Sequence, residues 1–153
     1  MSDVNKEMSR IVYDTICKVL DDLGISYKKI EDDLVVLFGH KGQDMSHDLI
    51  ILVNEKQELI RLVEKLPFDI NSEKASDFAA AVCYVNSKIA CGCFVYDMEN
   101  RLTFEMSQFY SGSLIGDETI RQMIMGLVVL VEEYDDKFMA LNKGYLKPED
   151  FKN

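Results

Sequence analysis

The chain has only two histidines, His40 and His47, and they share one segment with Asp44 and Asp48. Imidazole nitrogens and carboxylate oxygens are the donors of zinc and related sites, so such a set would suit a metal. The spacing matches no familiar ligand motif. Gly39 to His47 also carries the glycines and polar groups of a loop, where histidines are usually solvated. Adjacent acids recur at Glu31-Asp32-Asp33 and at Glu132-Glu133 with Asp135-Asp136. Paired carboxylates do general acid–base work only where a pocket drives their pKa values apart. As runs in a sequence they read as solvated faces. Cys91 and Cys93 would face the same way in a strand, where a pair can bind a soft metal or form a redox couple. With Cys17 and Cys83 they fit no disulfide framework and no zinc site. They read as reduced cysteines serving as small apolar side chains. No serine stands in a nucleophile elbow, and no glycine-rich loop has phosphate-cradling spacing. The expectation is therefore a non-enzymatic protein without cofactor or metal. The alternative is a small metal- or ligand-binding enzyme that uses the His40/His47 loop.

The elements that would position these residues follow from periodicity. A helix is expected from Asp3 to Leu23, capped by Ser2 or Asp3 and stopped by Gly24, with Met8, Ile11, Val12, Ile16, Val19, Leu20 and Leu23 as its apolar stripe. An extended piece, Ile25 to Ile30, precedes an acidic turn. Leu34 to Phe38 and Asp48 to Val53 read as strands by their branched and aromatic content. Glu58 to Leu66 fits helical and strand spacing alike; the short turn before it, at 54–57, favours a return strand, and Pro67 ends it. Asn71 or Ser72 would cap a second helix with Phe78, Val82, Val85 and Ile89 buried.

Two runs between Cys91 and Tyr110 flank the turn Met98-Glu99-Asn100 and predict a β-hairpin. Its register would set Phe94 opposite Phe104 and Tyr96 opposite Leu102 on an apolar face, with Val95 opposite Thr103 and Cys93 opposite Glu105 on the other. A last helix would start at a capping Asp117 and run to Leu141, burying Ile120, Ile124, Leu127, Val131, Tyr134 and Phe138, with Val128, Val129 and Leu130 widening the apolar surface. Residues 142–153 read as a loosely ordered polar tail. The order is α-β-β-β-α-β-β-α, an α+β fold with an antiparallel β-sheet and helices packed on one face, in a single domain over residues 1–141.

Composition narrows the partners. The 153 residues hold 17 Lys and Arg against 27 Asp and Glu, a net charge of −10. Nucleic acid and anionic membrane surfaces need clustered cations, so neither is expected as a partner. The polar N-terminus has no secretory signal, and the longest apolar runs are too short to cross a bilayer, which together with unpaired cysteines points to the cytoplasm.

One pattern rises above ordinary packing. Leu34 to Phe38 and Leu49 to Val53 are apolar at every position, whereas a sheet covered on one face should alternate. Either helices cover both faces, or the second face takes a partner chain or a second copy of this one. Three helices are few for two layers, which favours the partner. The candidate contacts are Val35, Leu37, Leu49, Ile50 and Leu52; the sequence leaves open which face is inward.

Asn86, then Gly92-x-Phe94-x-x-Asp97, then Asn100-x-Leu102-x-Phe104 form a pattern that resembles the YbjN-like family, bacterial proteins described as sensory transduction regulators, with a type III secretion chaperone-like fold. The resemblance spans residues 3 to 141. It implies a dimer-prone, non-enzymatic domain that binds protein segments, by fold-level analogy to chaperones that hold extended chains.

Overall fold

A computed structural model describes residues 3–42, 44–97, 99–113 and 115–152. Helix α1 (Asp3–Asp22) is followed by strands β1 (Lys28–Ile30), β2 (Val35–Lys41), β3 (Ser46–Asn54) and β4 (Leu59–Lys65). Helix α2 (Ala75–Asn86), strands β5 (Cys93–Tyr96) and β6 (Leu102–Phe109), and helix α3 (Asp117–Asn142) complete the order. The strands form one antiparallel sheet in the order β1-β2-β3-β4-β6-β5. The fold is the α+β one that the sequence predicts, with the short β1 added at one edge. The side chains expected to cap α1, Ser2 and Asp3, lie outside the described residues, as do Gln43 and Met98.

One face of the sheet carries the core. Val36, Ile51, Leu62 and Met106 align across four strands, and Phe38, Leu49, Glu64, Phe104 and Phe94 form the neighbouring row. All of these are buried. Helix α1 packs on β3 and α3, α3 on β4 and β6, and α2 on β5. The hairpin register is the expected one, residue for residue. Phe94 meets Phe104 edge-on at 4.9 Å and Phe138 at 5.0 Å, tying hairpin to helix. The segment 58–66 is a strand, with Ile60, Leu62 and Leu66 inward.

Local physics explains the pattern residues of the hairpin. Gly92 has φ +83°, and a Cβ there would lie 2.7 Å from the Phe104 ring and 2.7 Å from the Glu105 carbonyl, so only glycine fits. The Asp97 carboxylate accepts from the Glu99 and Arg101 amides and pairs with the Arg101 guanidinium. Asn100 takes φ +59° at the turn and accepts from the Tyr96 hydroxyl. The Asn86 amide bonds both the N–H (2.8 Å) and the C=O (2.9 Å) of Phe94 on the outer edge of β5.

Several expectations are corrected. The segment from Gly39 to His47 is not one loop: β2 runs on to Lys41 and β3 starts at Ser46, so His40 and His47 face each other across the strands. The strands extend because each imidazole finds a carboxylate partner on α3. Ile11 is 44% exposed, and Tyr13 and Cys17 take the buried stripe of α1 instead. Ser9, also buried, bonds the Tyr110 hydroxyl at 2.7 Å.

Asp117 does not cap α3. Gly116 stands at the N-cap without a side-chain bond, and the Asp117 carboxylate pairs with Lys18 of α1. Val129 is exposed, because α3 buries its stripe on one side only. The expected loose tail is packed: residues Pro148–Phe151 form a short 3₁₀ turn against α2. Phe151 is buried beside Phe138 at 5.2 Å, and its carbonyl accepts from the Lys88 ammonium. Leu146 also packs on the core, and the Lys152 ammonium lies over the Tyr84 ring.

Candidate docking face and a buried histidine cluster

Among the described residues, no helix lies on the outer face of the sheet. The register places Leu37, Ile50 and Val63 in one row and Val35 and Leu52 in the next. Ile50 is 40% exposed and Phe109, further along β6, 64%. The pair Arg61–Glu105 and the side chains of Lys28, Asp48 and Lys65 rim this apolar area. Of the candidate contacts, Val35, Leu37, Ile50 and Leu52 lie together here. Leu49 does not: it points to the helices and is 1% exposed. The uninterrupted apolar run of β3 therefore resolves into a core row and a surface row.

The outer face meets an open strand edge. β1 pairs only with Val35 to Leu37 of β2, and among the described residues no strand pairs with the outer edge of β2 beyond Leu37. Beside that edge, on the outer face, lies a depression of about 450 Å³ lined by Leu37, Gly39, Asp48 and Ile50. On the helix side of the same edge lies a second, about 280 Å³, lined by Ile25, Phe38, His40, Ile124, Met125 and Val128. A strand laid along this edge would send alternate side chains into each.

The second feature is inside. Glu64 stands in the middle of an apolar row, between Leu49 and Phe104, and is wholly buried. His47 is also buried; its Nδ1 lies 3.3 Å from Glu64 Oε1 and its Nε2 3.2 Å from Asp135 Oδ2 on α3. The Nε2 contact is a hydrogen bond, whereas the Nδ1 contact is off the hydrogen-bond line. His40 stacks on His47 at 5.8 Å and reaches Glu132 of α3 at 3.3 Å. Burial pushes the Glu64 carboxyl up to about 8, with the nearby charges of Asp135 and Glu132 adding to it. Burial also lowers His47, against the pull of Asp135, and raises Asp135.

Sequence reasoning placed both histidines in a solvated loop and missed Glu64. A signal existed: Glu64 falls in step with Ile60, Leu62 and Leu66 on the buried face of its strand. Asp48 points to the opposite face from His47, so the four-residue set read from the sequence is split. Among the described residues, no three His, Cys, Asp or Glu side chains converge as a metal would require. Cys83, Cys91 and Cys93 are exposed and Cys17 buried, all as free thiols.

Comparison with known proteins follows this geometry. A family model named YbjN, described as "Putative bacterial sensory transduction regulator", matches residues 13–140. No curated protein sequence matches significantly. Among solved structures, the crystal structure of YbjN from E. coli superposes with a TM-score of 0.62 at 14% identity, covering 82% of this chain and 92% of that one. A chain of the ExsC–ExsE complex gives a TM-score of 0.59 at 9% identity, covering 84% and 93%. At such identities the likeness is one of fold, and the fold is type III secretion chaperone-like, as the sequence pattern implied.

Proposed function

Since the chain belongs to the YbjN family, we propose that it is a non-enzymatic protein-binding module with a regulatory or chaperone-like role. It takes an extended, apolar segment of a protein partner, or of a second copy, on the outer face and open edge of β2 and β3. The observation that carries this reading is the uncovered apolar surface of Val35, Leu37, Ile50 and Leu52 beside an unpaired strand edge flanked by two depressions. Backbone hydrogen bonds along the edge would supply affinity, and the depressions would select side chains. One structural neighbour is itself a two-protein complex, ExsC–ExsE, which supports the class of partner. The net charge of −10 favours a partner segment with cationic flanks. Free thiols fit a reducing compartment such as the cytoplasm.

The test is a charge placed on the outer face. Ile50→Glu leaves the core untouched, so the variant keeps its far-UV circular dichroism and its thermal midpoint within a few degrees. It loses the proteins that the wild type retains from a lysate of the source cell, or its self-association in sedimentation. Unchanged retention together with unchanged mass would refute the docking face.

A further inference from the structure

The His47 cluster has no part in the proposed docking. One imidazole stands between two carboxyl groups, with one nitrogen near each. A neutral imidazole carries a single N–H, yet two carboxylates facing two nitrogens need two hydrogens. The second hydrogen sits either on one of the two carboxyl groups or on the ring as an imidazolium. Both arrangements have the same proton count. Bulk water does not reach it, because both side chains are wholly buried.

The neighbours do not supply it either. Among the described residues, no Lys or Arg pairs with Glu64 or Asp135. The groups that face the cluster are His40 from β2, Asp44 from the turn after it, and Glu132 and Asp136 from α3. Acids outnumber the one further imidazole, which is already engaged with Glu132. Loss of the second hydrogen would leave a bare carboxylate against a nitrogen lone pair in a dry place, a costly arrangement. The strands β3 and β4 are central and held on both sides by neighbours. Release therefore means local opening of α3 around Asp135, against the apolar packing of Val131, Tyr134 and Phe138.

We propose that His47, Glu64 and Asp135 form a proton-operated latch between α3 and the sheet, closed while the three groups share a second hydrogen and released when it is lost. The burial that holds Glu64 protonated to about pH 8 makes opening easier with each pH unit up to that value.

Amide hydrogen exchange followed by NMR between pH 6 and 10, corrected for intrinsic rates, tests the latch. Between pH 6 and about 8, protection along residues 131–138 falls by about tenfold per pH unit and then levels off, as release of one proton on opening requires, while the paired amides of β3 and β4 keep theirs. Glu64→Gln offers Nδ1 an N–H that cannot be lost, so its α3 protection stays flat. Flat wild-type protection, a fall shared equally by β3 and β4, or an unaltered slope in Glu64→Gln would each overturn the proposal. If Glu64→Gln does not fold, the wild-type imidazole decides. Its ring-nitrogen signals must change over the same pH range as α3 protection, and a His47 unchanged through that range overturns it.

Discussion

Leu49 and Ile50 are chain neighbours with opposite fates, so truncating each to alanine tests the division of the sheet into a core face and a free face. Leu49 is 1% exposed and packs in the row between Phe38 and Glu64. Leu49→Ala removes three buried carbons, about 2.4 kcal/mol of transfer at roughly 0.8 per methylene, and leaves a cavity besides. The total is about 3–4 kcal/mol, a large share of the ~5–15 kcal/mol that holds a domain of this kind. Ile50 is 40% exposed and has no layer above it. Ile50→Ala loses about 60% of the same transfer energy, roughly 1.4 kcal/mol, and opens no cavity. Urea unfolding followed by far-UV circular dichroism reads both, since the chain has no tryptophan to report by fluorescence. The two midpoints should differ at least twofold in their displacement from wild type. Equal costs, independent of protein concentration, would mean that something in the fold covers Ile50 and would refute the free face. A cost at Ile50 that grows with protein concentration would identify the occupant as a second copy.

Two further outcomes follow from the buried acid and the hairpin glycine. Glu64 keeps its proton to about pH 8 in the fold against an ordinary 4.5, so the native state binds more protons across that window and its stability declines as pH rises through it. Relative to Glu64→Gln, the wild type should lose about 1.4 kcal/mol per pH unit between roughly pH 5 and 7.5, measured by urea titration at each pH; parallel profiles would contradict it. Gly92→Ala combines a left-handed backbone with a Cβ 2.7 Å from Phe104 and should cost about 2–4 kcal/mol. Gly112→Ala, at φ +69° with nothing within 4 Å, carries the backbone strain alone and should cost about 1 kcal/mol. A Gly92 variant no worse than the Gly112 one would refute the close approach.

The hairpin was legible because its information is local. Alternation and a short turn set Phe94 against Phe104 without help from the rest of the chain. The return strand at 59–65 was legible for the same reason, from the turn before it. The apolar runs of β2 and β3 announced two apolar faces, but assigning Leu49 inward and Ile50 outward needed the helices in place. The ends of β2 and β3 were illegible. Histidine and glycine have little strand preference, and what fixes them there is Glu132 and Asp135, about ninety residues away in sequence. Glu64 was hidden by the ordinary rule that acids face water. The docked terminal turn rests on Phe151, whose partners are Lys88 just after α2 and Phe138 on α3.

The two ends of the sheet are chemically unequal, and this bears on where a strand can join. On β5 the Asn86 amide already occupies both edge-facing groups of Phe94, in a strand of only four residues. An incoming strand finds both groups of Phe94 already bonded. β2 beyond Leu37 is where the backbone is left for a strand to join, which is the edge the proposed docking uses. On the proposed reading, the side-chain amide at the end of α2 thereby steers a joining strand toward β2 and away from the far end of the sheet.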